Sequence, residues 1–121
     1  MSDQDFMKRV MRTLTHNPTA ADLDFLIEAH TRLGYLAGTA QGEADMAYAT
    51  RKHEEASAFA RLMQGEQRPS AAAAERLAEL EVWELKQDEI TARERSEKIN
   101  NLLRSVTEAI NGIKFLGRMG A

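Results

Sequence analysis

Two prolines, Pro18 and Pro69, are the only ones in the chain. They leave two long stretches free of the residue that most strongly interrupts a helix. Neither stretch shows the period-two alternation of a half-buried strand, and both carry apolar residues at spacings of three and four. The chain is therefore predicted to be all-α: a long antiparallel helical hairpin, coiled-coil-like, preceded by a short N-terminal helix. The predicted helices are residues 2–15, 20–64 and 71–117, within one helical domain of residues 1–121.

The helix ends are readable from side-chain chemistry. Ser2 with Asp5 supplies acceptors for the unpaired N–H groups of a first turn. Phe6, Met7, Val10, Met11 and Leu14 then recur at helical spacing. Asn17 is pushed out of the right-handed region by Pro18. Thr19 is a second N-cap, with Asp22 three residues on. From there Leu23, Leu26, Ile27, Leu33, Leu36 and Ala37 make an apolar stripe, continued by Ala40, Ala44 and Ala47 and closed by Phe59, Ala60, Leu62 and Met63. Gly65 suits the position after a helix, and residues 65–69 are the one strong interior turn. Ser70 caps the last helix, which Gly117 and Gly120 are expected to end. At 1.5 Å per residue each long helix spans roughly 65–70 Å. A short turn makes them antiparallel neighbours, pairing residues whose numbers sum to roughly 135, so that Phe59 lies near Arg76 and Gly38 near Glu97.

The last helix changes character along its length. Leu77, Leu80, Val82, Trp83, Leu85 and Ile90 lie in its first half. Residues 86–98 read KQDEITARERSEK, charged nearly all round. A helix of that kind needs ion pairs and contacts from elsewhere; Glu89–Arg93 and Glu94–Lys98 have favourable i,i+4 spacing. Ile99, Leu102, Val106, Ala109, Ile113 and Leu116 then alternate spacings of three and four, an a/d seam for packing against another helix.

Composition limits the function classes. Hydrophobic residues make up 43% and aromatics only 6%, which suits a thin helical core better than a globule. A net charge of −3 excludes a uniformly basic nucleic-acid binder but leaves room for a local basic patch. There is no cysteine, so disulfides and Cys-ligated metals are excluded. No apolar run reaches membrane-spanning length, the acidic start does not read as a signal peptide, and a cytoplasmic location is expected (the host cytoplasm, if a phage encodes the chain). His16, His30 and His53 show no metal-ligand spacing, and no phosphate-cradling loop or nucleophile motif is present. The expectation is a non-enzyme without metal or cofactor.

Four features carry functional readings. Gly34, Gly38 and Gly42, four apart on one face, each cost about 1 kcal/mol relative to alanine; they fit packing inside the hairpin, a break or bend, or close approach of another subunit or ligand backbone. Lys8, Arg9 and Arg12 with His16, and Arg104, Lys114 and Arg118, are basic groups near the two chain ends, while Glu66, Glu75, Glu79, Glu81 and Glu84 cluster near the turn. The basic groups suit phosphates, or solubility and the helix dipole. Tyr48 with Arg51, Lys52, His53 and Arg61 suits base stacking and phosphate binding, or a solvated face that also holds Glu54 and Glu55. Trp83 suits either a core anchor or an interface anchor.

The helix face of Tyr48, Arg51, Lys52 and Arg61, the turn at Gly65, and the closing Ala109-Ile110-Asn111-Gly112-Ile113-Lys114 together resemble the phage recombination mediator family (UvsY-like). The resemblance extends over most of the chain. It implies a helical-hairpin homo-oligomer that binds single-stranded DNA and helps load a recombinase in place of single-strand binding protein. Carried onto this chain, Arg51, Lys52 and Arg61 contact DNA, and Ile99, Leu102, Val106, Ile113 and Leu116 form the oligomer interface. Tyr48 would stack on a base, and Lys8, Arg9, Arg12, Lys114 and Arg118 would add phosphate contacts. The competing expectation is a protein-binding module, such as a phage-encoded inhibitor of a host or defence protein.

Overall fold

A computed structural model describes residues 1–119. It is all-α. Helix α1 spans Asp3–Thr15, a 3-10 turn covers Ala20–Asp22, and α2 runs unbroken over Leu23–Leu62. Helix α3 spans Ala71–Glu81 and α4 spans Trp83–Met119. The two long helices, α2 and α4, pack antiparallel.

The caps form where the side chains predict them. The Asp5 N–H donates to Ser2 Oγ at 3.1 Å, the Thr19 N–H to Asp22 Oδ2 at 2.9 Å, and the Ala73 N–H to Ser70 Oγ at 3.2 Å. Each satisfies a donor that the helix itself leaves unpaired. Asn17 takes φ 54° ahead of Pro18, and Gly65 takes φ +112° in the turn, a conformation that costs glycine little.

The predicted last helix differs in one respect: it is two helices. Val82 sits between α3 and α4 at φ −103°, ψ 19°, in the bridge region. Its N–H still reaches Ala78 O at 3.3 Å, and its carbonyl accepts from Lys86 at 3.0 Å. No glycine or proline marks the place. The valine side chain is buried, so the interruption accompanies tertiary packing rather than a local breaker. At the far end α4 continues through Gly117 to Met119; Gly120, expected to help end it, lies outside the described residues.

The chain divides into two compact units. A terminal unit comprises Met1–Thr39 and the chain from Glu97 on; a middle unit comprises Ala40–Ser96. Helices α2 and α4 contribute a segment to each. In the terminal unit the buried apolar residues are Phe6, Val10, Leu26, Ala29, Leu33, Leu36, Ala37, Ile99, Val106 and Ile110. In the middle unit they are Ala40, Ala44, Ala58, Ala74, Ala78 and Val82, joined by the polar Arg51, Glu89 and Ser96. Register in the middle unit is marked by Ser96 Oγ donating to Gln41 Oε1 at 3.2 Å, by Arg51 with Glu89, and by Arg61 with Glu81. These pairs sum to slightly more than the value expected from the turn.

Candidate nucleic-acid interface

The basic stretch of α2 in the middle unit does not present its charges as the sequence suggests. Arg51 points inward and is only 9% exposed. Its Nε donates to Glu89 Oε2 at 2.6 Å, its Nη2 to Glu89 Oε1 at 3.3 Å and its Nη1 to Glu55 Oε2 at 2.7 Å. Glu89, 1% exposed, also accepts from Arg93 Nη2 at 2.8 Å and Lys86 Nζ at 3.5 Å. The hydrogen bonds from Arg51 hold the Glu89 carboxyl below its ordinary value of 4.5, against the opposing effect of burial. Glu89 correspondingly raises the Arg51 guanidinium.

Arg51 is therefore withdrawn from the expected phosphate contacts, because a bidentate buried carboxylate satisfies its fork. Arg61 is exposed but paired with Glu81. Tyr48 is half-exposed, and its ring lies 5.3 Å from the Arg51 guanidinium carbon and 5.8 Å from Lys52 Nζ. That leaves Lys52 as the exposed cation of this cluster, next to exposed Glu54.

The terminal unit differs. Phe6 and Val10 turn inward from α1, which leaves Lys8, Arg9 and Arg12 exposed. Phe6 meets Phe25 edge-on, with centroids 5.9 Å apart. The Arg9 guanidinium carbon lies 4.1 Å from the Phe25 centroid, and that of Arg32 lies 4.2 Å from the Phe6 centroid. Arg32 also donates to Asp3 Oδ1 at 2.9 Å. Among the described residues, Lys8, Arg12, Lys114 and Arg118 make no ion pair. His16 joins Arg9, Arg12, Thr13 and Asp22 around a shallow, open depression.

Near the end of α4, Phe115 is 59% exposed, with Lys114 before it and Arg118 three residues after. Sequence reasoning passed over Phe115 because the segment reads as the tail of a core seam. The available signal was an aromatic residue flanked by cations and lying off that seam. Between α1 and α4 an open groove of about 280 Å³ is lined by Met7, Met11 and Leu102, with Lys8 and Lys98 at its polar edge.

The expected oligomer interface is largely internal. Ile99 and Val106 are buried within the terminal unit, Leu102 and Ile113 are half-buried, and of the five only Leu116 is exposed. An a/d seam signals a partner helix without saying whether it belongs to the same chain. Here much of it packs within its own chain. Gly34, Gly38 and Gly42 are all exposed. A methyl group added at any of them meets nothing within 4 Å. Since α2 is continuous there, neither tight packing inside the hairpin nor a break accounts for them. Trp83 is exposed too, which removes it from the core.

No protein-family model, curated protein or solved structure matches this chain. The resemblance to the recombination mediators thus rests on sequence pattern. Among the described residues, no helix is long and apolar enough to cross a membrane.

Proposed function

We propose that the chain binds single-stranded DNA through its terminal unit and serves as a self-assembling accessory protein of recombination or replication. The observation that carries this reading is Phe115, exposed on α4 and flanked by the exposed cations Lys114 and Arg118. Lys8 and Arg12 add ion-pair-free charge in the same unit. A base stacked on an aromatic ring contributes about 1–3 kcal/mol, and every base offers a face to stack. Cations near the ring meet the phosphates, and the released counterions make affinity depend on salt. Such a surface grips the strand without reading its sequence. The mediator role, loading a recombinase in place of single-strand binding protein, comes from the family resemblance. The middle unit, with eight Lys and Arg against twelve Asp and Glu, is a poor site for a polyanion; the terminal unit has eight against seven.

The test is anisotropy of a labelled oligothymidylate across a salt series. Phe115→Ala should weaken binding by about tenfold or more while leaving the salt slope unchanged. Lys114→Ala with Arg118→Ala should lower the slope of log K against log salt by about 1.4, at roughly 0.7 per lost phosphate contact. Absence of binding by the wild-type protein at low salt would remove the DNA reading.

One observation favours a second reading, a protein-binding module: Leu80 and Trp83 are exposed beside the break at Val82. If the oligonucleotide does not bind, this apolar surface becomes the leading functional site.

A further inference from the structure

The middle unit is inverted relative to an ordinary helical core. Its fully buried apolar residues are alanines and Val82, while Leu80 is 69% and Trp83 57% exposed. Spaced three apart across the α3–α4 break, these two side chains stand on neighbouring outward positions, with Leu77 on the adjoining flank. Large apolar side chains left outside a core of small ones are the mark of a surface that another molecule covers. The charges around them lean acidic: Glu79 and Glu84 adjoin the pair and Glu75 lies one turn earlier, against Arg76 and against Lys86, which lines a depression with Glu79 and Trp83 and leans toward Glu89.

The terminal unit carries the complementary shape and charge. The groove between α1 and α4 is lined by Met7, Met11 and Leu102, edged by Lys8 and Lys98, and lined by no carboxylate. Methionines adapt their shape to an inserted ring or branched chain. We infer that the Leu80–Trp83 face of one copy seats in the Met7–Met11–Leu102 groove of a second copy, with Glu79 and Glu84 meeting Lys8 and Lys98. The occupant is set by charge complementarity between two surfaces of one chain. Because the surfaces differ, the contact is heterologous: one copy keeps its groove free and the other its face, so the pair can add further copies. The inference rests on the reading of this chain as a self-assembling protein and names the surfaces involved; DNA takes no part in it.

Light scattering of the full chain without DNA tests it. Wild type should exceed the 13.6 kDa monomer mass. A face variant, Leu80→Glu with Trp83→Glu, and a groove variant, Met11→Glu with Lys98→Glu, should each be monomeric. A one-to-one mixture of them retains a single live contact and should give a dimer and nothing larger. Glu79→Lys with Glu84→Lys, confined to exposed positions, should weaken assembly at least tenfold with the helical circular dichroism unchanged, which guards against misfolding of the apolar variants. The inference is overturned if wild type is monomeric at roughly 100 µM, a concentration at which any contact of functional strength is populated. It is equally overturned if the face variants assemble like wild type, or if the mixture stays monomeric. Oligonucleotide binding by the same wild-type sample is read separately, so assembly without DNA binding would overturn the DNA reading alone.

Discussion

In the terminal unit the interior is made of large side chains, with Phe6, Leu26, Leu33, Ile99 and Val106 almost wholly shielded from water. In the middle unit alanines bring the helices together, and the largest fully shielded side chain is the carboxylate of Glu89, met by Arg51. The first arrangement draws on apolar burial, roughly 0.8 kcal/mol per methylene. The second draws on close backbone approach and a charge network whose desolvation offsets much of its attraction. Units of one chain stabilised so differently are expected to open separately. The more weakly packed one also exposes Leu80 and Trp83, which gives it a reason to be completed from outside.

The largest expected effect lies in the terminal unit. Leu33→Ala leaves a cavity and should cost about 3–4 kcal/mol in urea unfolding, within the range for buried leucines. An alanine-to-glycine change in the middle unit, such as Ala78→Gly, should cost about 1 kcal/mol. Equal costs would break the contrast.

Next comes the ion pair. Glu89→Ala removes the bidentate partner of the buried Arg51 guanidinium and should cost about 2–3 kcal/mol. That is less than the 3–5 kcal/mol of a deep interior pair, because Glu55 still pairs with Arg51. Replacing both partners, Arg51→Met with Glu89→Leu, should recover most of the loss. Hydrogen exchange should place the opening caused by Glu89→Ala in the middle unit; uniform loss of protection throughout the chain would count against separate units.

The same pair gives a pH dependence. Folding lowers the pKa of Glu89, so the folded state binds its proton less readily than the unfolded state does. Its contribution is complete above the ordinary value of 4.5 and is lost as pH falls below it. Acid titration of stability should be shallower below that value in Glu89→Gln, and an unchanged acid limb would mean the pair contributes little. The smallest effect is a gain. Gly38→Ala places a methyl in open space and should stabilise the helix by about 1 kcal/mol. Failure to stabilise, with assembly lost instead, would show that the glycine face is covered by another molecule.

Much of the fold was legible because its signals are local. Ser2, Thr19 and Ser70 cap helices through atoms three residues away, and Gly65 supplies a positive φ within its own turn. The basic side chains of the terminal unit were legible as well, since charge on a long side chain needs no partner to be recognised. Arg51 was not: its cationic neighbours suggested a phosphate contact, while its partner Glu89 lies on another helix, inside a stretch that looked solvated all round. Phe115 was passed over for a different reason: it lies off the seam of residues 99–116, and the seam's residues dominate the pattern in that stretch.

The sequence by itself determined which residues are helical, where the chain turns, and that two long helices must lie antiparallel. These follow from sterics and hydrogen bonds that close within a few residues. Tertiary structure alone decided that Val82 interrupts the last helix, that Ile99 and Val106 face inward, that Arg51 is buried against Glu89, and that Trp83 and the three glycines of α2 face outward. Helical periodicity puts residues on a common face, but the rotation and register of the packed helices decide which faces meet.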